Sequence, residues 1–138
     1  MSDALLLPPV PLPDADSEAY WESLRAGTFA ISRCSACRTW MHPPLEACRR
    51  CGAPTALESV SGKGNVFSFI VVRHPAVPGH APPYVIAVIE LAEQPGLRLT
   101  GIVDADPKAV TIGAPVQATV AEIGDSGMFA PRFQLVAS

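Results

Sequence analysis

Four cysteines, the only ones in the chain, are the residues whose type and spacing point most directly to chemistry. They form two C-x-x-C pairs, Cys34 with Cys37 and Cys48 with Cys51, with ten residues between the pairs. Cysteines three apart in a tight turn can direct both sulfurs to one point, and two such turns supply four thiolates to a tetrahedral metal ion. The four cysteines are therefore the predicted ligands of one metal ion in a zinc ribbon.

Other interpretations of the four cysteines are two disulfide bonds, a redox-active pair, or iron in the same cage. Disulfides require an oxidising compartment, which nothing here indicates, and a redox pair does not need the second C-x-x-C. Zinc is favoured, although ligand type alone does not separate it from iron. A four-thiolate cage leaves no coordination position for water or substrate, so the predicted site is structural. His42, between the pairs, is a spare donor that we do not expect to ligate.

The composition limits the classes of function. The formal net charge is −3, charged residues make up 17% and hydrophobic residues 49%, whereas soluble domains average roughly 25% charged residues. A small chain with so few charges is expected to bury part of its surface against a partner. No apolar run approaches the ~18 residues of a membrane span. The use of all cysteines in one cage favours the reducing cytoplasm.

Motifs of catalysis are absent from the sequence. There is no G-x-S-x-G elbow, no spare cysteine nucleophile and no paired-carboxylate motif. His42, His74 and His80 have no partner that the sequence makes evident. We therefore predict that the chain is not itself an enzyme.

The order of predicted elements indicates three parts. Residues 1–13 contain four prolines and predict an extended arm, 14–56 a helix plus the zinc ribbon, and 57–138 a barrel. The helix is predicted over 14–25, with Asp14, Asp16 or Ser17 as its cap and Gly27 closing it. A strand over 28–33 leads into the first cysteine pair.

The second half of the chain predicts a barrel. Alternating apolar residues bounded by turn residues predict strands over 66–72, 84–91, 97–103, 113–123 and 128–136, with a single helical turn at 104–108. Five strands with a short helix between the third and fourth is the order of an OB fold. The predicted fold class is therefore mainly β, a helix and zinc ribbon followed by a five-stranded OB-fold barrel. The proline-rich loop 73–83 is either a recognition element or a plain connector.

Several motifs together resemble one family. They are the aromatic helix at 19–24, the two cysteine pairs, Pro43-Pro44 between them, Gly52, Ser61-Gly62-Lys63-Gly64, and the segment 112–116. This combination is similar to the acyl-CoA-associated OB-fold proteins with an N-terminal rubredoxin-like zinc ribbon, over about residues 15–136. Arg38 departs from the pattern, because such turns often carry glycine there. We expect this to alter the turn and not the ligation.

The resemblance implies a non-catalytic accessory subunit that docks on a thiolase-like or hydratase-like enzyme and supports its acyl-CoA chemistry in lipid metabolism. It leaves open a direct contact with acyl-CoA, for which Lys63, Arg73 and His74 are candidate phosphate ligands or else solvated loop residues. The alternative is a single-stranded nucleic-acid-binding module, with Phe67 and Phe69 as base-stacking residues. The scattered basic residues, of which only Arg49 and Arg50 adjoin, disfavour it.

Overall fold

A three-stranded antiparallel sheet and a closed five-stranded barrel make up most of the computed structural model, which describes residues 8–75 and 77–136. The predicted fold class, mainly β with one helix, a zinc ribbon and a five-stranded barrel, is confirmed. In chain order the elements are helix α1 (Glu18–Arg25), β1 (Ala30–Cys34), β2 (Trp40–Met41), β3 (Thr55–Ser59), β4 (Lys63–Val72), β5 (Tyr84–Leu91), β6 (Arg98–Val103), a 3-10 turn (Pro107–Ala109), β7 (Pro115–Glu122) and β8 (Phe129–Leu135).

Helix α1 begins later than predicted, at Glu18, because the residues before it form a separate turn. The N–H of Ser17 donates to Asp14 Oδ1 at 2.8 Å, and the N–H of Asp14 donates to Ser17 Oγ at 3.0 Å. The Ser17 hydroxyl is therefore engaged upstream and does not cap the helix. Tyr20 and Leu24, four residues apart, form its buried face.

The ribbon sheet has the order β2-β1-β3, with β1 at its centre. Strand β3 pairs with β1 from Cys34 and Thr55 to Ala30 and Ser59. The boundary predicted between residues 56 and 57 therefore falls inside a paired strand of the ribbon. The alternating residues that begin near Leu57 therefore belong in part to β3. Each residue of β3 pairs with a residue of β1 more than twenty positions earlier in the chain.

The barrel has the order β4-β5-β6-β8-β7 and closes through β4 and β7. All neighbours are antiparallel except β6 and β8, which run parallel and pair only at Val103 and Phe133. This seam is the weakest line of the barrel wall. Gly101 lies on it, and a Cβ there would come within 2.7 Å of the Phe133 ring. The absence of a side chain at Gly101 lets the fully buried Phe133 close the seam from inside.

One hydrophobic core joins the helix, the ribbon and the barrel. Tyr20, Phe29 and Trp40 belong to the same buried cluster as the inward residues of the barrel, such as Ile89 and Phe133. The Gln94 side chain fixes the junction, because it accepts from Trp40 N and donates to Trp40 O, each at 3.0 Å. The ribbon is thus held against the β5–β6 turn by apolar packing and by two hydrogen bonds.

The predicted N-terminal arm is described only from Pro8 onward, and residues 1–7 lie outside the described residues. Pro8 packs against Gly79, where a Cβ would meet the Pro8 nitrogen at 2.4 Å. The arm therefore crosses the tip of the loop between β4 and β5. Leu12, further along the arm, has 91% of its surface exposed. In the described parts of the chain, α1 is far too short to cross a membrane and no other helix is suited to do so.

We predict that Gly101→Ala destabilises the protein by about 1–3 kcal/mol, because the added methyl overpacks the seam against Phe133. Denaturant unfolding of the metal-loaded protein measures this. Thr100→Ala, on the outward side of the same strand, is the matched control and should change stability by less than about 0.5 kcal/mol. In a double-mutant cycle, Phe133→Leu should cost less in the Gly101→Ala background than alone. Purely additive effects would contradict the packing argument.

Candidate metal centre and the adjoining groove

Four sulfur atoms converge at one end of the ribbon sheet. The Sγ atoms of Cys34, Cys37, Cys48 and Cys51 all lie within 4.8 Å of one another. The Sγ atoms of Cys34 and Cys51 lie 3.4 Å apart, and those of Cys37 and Cys48 lie 3.6 Å apart. A tetrahedral zinc site with bonds of 2.3 Å has sulfur–sulfur edges of about 3.8 Å. The donor set therefore fits one tetrahedral ion, bound without an open coordination position.

Backbone N–H groups point at the sulfurs, as expected for thiolate acceptors. The N–H groups of Ala36 and Cys37 each donate to Cys34 Sγ at 3.4 Å, and that of Arg50 donates to Cys48 Sγ at 3.3 Å. The two turns differ after their last cysteine. Gly52 has a φ of 77°, whereas Arg38, the departure from the family pattern, keeps a comparable left-handed φ of 64°.

Arg38 is held in this conformation by Glu58 on strand β3. Its guanidinium lies 2.8 Å from both carboxylate oxygens of Glu58, and its carbonyl accepts from Arg33 Nε at 2.8 Å. The left-handed conformation costs a residue with a side chain on the order of 1 kcal/mol. The ion pair links the turn to Glu58 on strand β3. Arg38 therefore keeps the left-handed conformation that glycine usually adopts in such turns.

Without a cation the four thiols cannot all ionise. The Thr39 hydroxyl and the Thr39 backbone lower the pKa of Cys37 to about 6. The N–H of Ala53 acts to lower the pKa of Cys51. The contacts of the Cys51 sulfur with the other thiols outweigh this effect and raise the pKa of Cys51 to about 11. Like charges so close disfavour a fourth thiolate. A divalent cation removes this conflict, which makes the cage a site for a metal.

His42 does not join the sulfur cluster. Its ring lies at a tilt of 53° against that of Tyr20, with centroids 5.1 Å apart, and its Nδ1 is buried without a hydrogen-bond partner among the described residues. Burial lowers the pKa of His42. The imidazole is therefore neutral near pH 7, and it lies at the junction of two cavities.

The larger cavity is a groove of about 950 Å³ between the ribbon and the barrel. One wall is the outer side of the β6–β8 seam and the end of β7. The opposite wall is the arm, the start of α1 with Tyr20 and Trp21, and the segment 42–44. Tyr84, His80 and Gly79 close one end. The sequence did not predict this groove, because its walls come from distant stretches that share no motif.

A smaller cavity of about 180 Å³ lies on the other side of His42. It is bounded by β2, by the second cysteine turn with Arg49 and Arg50, and by the β5–β6 turn at Gln94–Leu97. The adjacency of Arg49 and Arg50 in the sequence was the only signal that could have drawn attention to it.

The other residues singled out in the sequence lie elsewhere. Lys63, Arg73 and His74 are exposed and line neither cavity. Phe69 packs against the core, and Phe67 points outward with the Arg98 guanidinium 3.7 Å above its ring. The structure therefore does not bring the candidate phosphate ligands or the candidate stacking residues together.

Comparison with known proteins adds to this geometry. A family model described as the ChsH2 rubredoxin-like zinc ribbon domain matches residues 21–58, and one described as the ChsH2 C-terminal OB-fold domain matches 58–121. A DUF35 domain-containing scaffold protein of Methanocaldococcus jannaschii is 43% identical over 103 residues, which cover 70% of this chain and 72% of that protein. The chain belongs to the DUF35 family. The resemblance drawn from the sequence motifs is thereby confirmed.

Two further proteins are similar. The alpha subunit of 3-oxo-4,17-pregnadiene-20-carboxyl-CoA hydratase from Mycobacterium tuberculosis is 38% identical over 122 residues. That match covers 87% of this chain but only 38% of the subunit, so this chain spans little more than a third of its length. A chain in the solved structure of the Ltp2-ChsH2(DUF35) aldolase superposes with a TM-score of 0.85 at 33% identity, covering 93% of this chain and 100% of that chain.

We predict that Cys34→Ser and Cys51→Ser lose the metal, whereas His42→Gln retains one ion per chain. Elemental analysis of purified protein checks this, and an iron-loaded cage would be coloured whereas a zinc-loaded one would not.

Removing the ion with a chelator should first increase amide exchange in β1 and β2, because so small a sheet has little core of its own. Full occupancy in Cys51→Ser would contradict the assignment of the ligands.

The buried His42 predicts a difference in pH dependence. Because its pKa is lower in the folded state, the unfolded chain binds the proton first, and this residue's contribution to stability is lost as the pH falls below about 6.5. His42→Phe should therefore lose less stability than the wild type between pH 7 and pH 5. His74→Phe, at an exposed position, should follow the wild type. Parallel curves for wild type and His42→Phe would show that burial of His42 has no such effect.

Proposed function

We propose that this chain is a non-catalytic accessory subunit of a thiolase-like or hydratase-like enzyme that acts on acyl-CoA. The observation that carries the proposal is the similarity to a chain in the solved structure of the Ltp2-ChsH2(DUF35) aldolase, which the match covers entirely at 33% identity and a TM-score of 0.85. The similarity to the hydratase alpha subunit supports the same class of partner.

The site supports a structural role for the metal. In this proposal Cys34, Cys37, Cys48 and Cys51 hold Zn²⁺, and the closed cage supplies rigidity and no reaction step. The reducing cytoplasm, where four free thiols persist, is the setting we propose. The chemistry then belongs to the partner enzyme.

The surface supports docking on a larger protein. Leu12, Ile70 and Ile112 expose 91%, 61% and 71% of their surfaces, in a chain with few charges to cover apolar area. Because single apolar residues are common on protein surfaces, the support for docking comes from the low proportion of charged residues. We propose that the protein contacts the acyl and pantetheine part of the acyl-CoA thioester in the groove between the ribbon and the barrel. Its predominantly apolar walls and its size suit a flexible, largely uncharged molecule.

No specific observation favours nucleic-acid binding. Five arginines spread over the molecule are each paired with a carboxylate, namely Arg25, Arg33, Arg38, Arg98 and Arg132. The exposed face of Phe67 is covered by Arg98. A basic stripe with free aromatic rings, which single-strand binding needs, is not found among the described residues.

We predict that the tagged full chain purifies from its native cell with a thiolase-like or hydratase-like enzyme, identified by mass spectrometry. When the two are expressed together, the chain should raise the partner's thermal stability or its turnover of an acyl-CoA. The Cys34→Ser variant, with its cage broken, is the control and should do neither. A partner whose stability and activity are the same with and without the chain would refute the accessory role. Salt-sensitive binding to single-stranded DNA would instead favour the alternative.

A further inference from the structure

Arg49 and Arg50 differ from most other basic residues of the chain. Five of the eight arginines lie within 4 Å of a carboxylate. Within residues 8–75 and 77–136, neither the Arg49 nor the Arg50 guanidinium makes an ion pair or a side-chain hydrogen bond. Both also line a cavity, and no aspartate or glutamate lines that cavity. Two exposed cations adjacent in sequence therefore line a recess without a carboxylate, in which the sulfur of Cys48 is the acidic group that accompanies them.

The backbone that carries these two side chains is rigid. They occupy the middle of the second cysteine turn, between Cys48 and Cys51. The N–H of Arg50 donates to Cys48 Sγ, and the N–H of Gly52 donates to Cys48 O at 2.9 Å. A metal-held turn fixes the backbone, so only the side chains need to be ordered when a ligand binds. Preorganisation of this kind lowers the entropic cost of binding.

The small cavity adjoins the groove. His42 lines both, and it is the residue that separates them. The groove is mostly apolar, whereas the small cavity places two guanidinium groups beside it. A ligand that occupies both must have a long, weakly polar part and a strongly anionic end. Guanidinium groups bind phosphate through paired, charge-assisted hydrogen bonds.

We propose that Arg49 and Arg50 bind the phosphate groups at the nucleotide end of an acyl-CoA whose remaining chain lies in the groove beyond His42. This proposal rests on the accessory function proposed above and identifies the residues that recognise the thioester. It replaces Lys63, Arg73 and His74, which line neither cavity, as the anion-binding residues.

Titration calorimetry of the zinc-loaded full chain with octanoyl-CoA, octanoyl-pantetheine and adenosine 3′,5′-bisphosphate tests the proposal. The double variant Arg49→Gln/Arg50→Gln should weaken octanoyl-CoA and the bisphosphate by at least about tenfold, the order expected for one lost charge-assisted contact. Binding of octanoyl-pantetheine, which has no nucleotide, should be unchanged. Arg73→Gln, which removes an exposed arginine outside both cavities, is the matched control and should bind all three as the wild type does.

Three outcomes would overturn the proposal. They are equal binding of octanoyl-CoA by the double variant and the wild type, no saturable binding by the wild type up to about 1 mM, and loss of zinc from the double variant. The last would mean that the arginines only balance the charge of the thiolates. These results are separable from the accessory function. Co-purification with an enzyme despite failed thioester binding would leave that function intact, and binding without any enzyme partner would refute only the accessory role.

Discussion

The convergence of four sulfur atoms is the constraint on which the rest of the structure depends. Around the cysteines the ribbon has only a small apolar cluster of its own, in which Met41 packs with Cys34 and Cys48 and is covered by Leu45 and Ala53. Such a cluster is too small to hold two turns and a three-stranded sheet by hydrophobic burial. With the metal that we propose in the cage, bonds to one ion supply what burial cannot. The fixed ribbon then presents Phe29, Ile31 and Trp40 to the core that it shares with the barrel.

The groove follows from how the barrel is closed. Strands β6 and β8 pair at one position only, and Phe133 seals the wall from inside at Gly101. Their outer surface therefore has few neighbours within the barrel, and the helix, the arm and the segment 42–44 lie opposite it at a distance that leaves about 950 Å³ open. The two hydrogen bonds between the Gln94 side chain and the Trp40 backbone hold the ribbon at that separation. The cysteine cage and the groove are thus linked through the junction of Gln94 and Trp40.

The sequence predicted what local chemistry determines. The cysteine spacing, the turns and the alternation of the barrel strands depend on residues close together in the chain, and each led to the right element. Features that depend on distant partners were missed. Strand β3 was divided by the predicted boundary because its register is set by β1. The predicted start of the helix was too early because Asp14 and Ser17 form hydrogen bonds with each other in a separate turn. The sequence had left open which of three residues caps the helix. The groove has no local signature at all.

The distribution of charge divides the surface into parts with different roles. Arg33 and Arg38 both approach Glu58, and Arg132 lies beside Asp104, so these cations hold strands and turns together. Exposed ion pairs of this kind contribute little stability each, but they leave those guanidinium groups engaged. Arg49 and Arg50 have no such partner in the described chain, although the protein as a whole is acidic. Two guanidinium groups without a carboxylate partner therefore lie where the second cysteine turn meets the cavity beside the groove, and an anion there would compete for them only with the sulfur of Cys48.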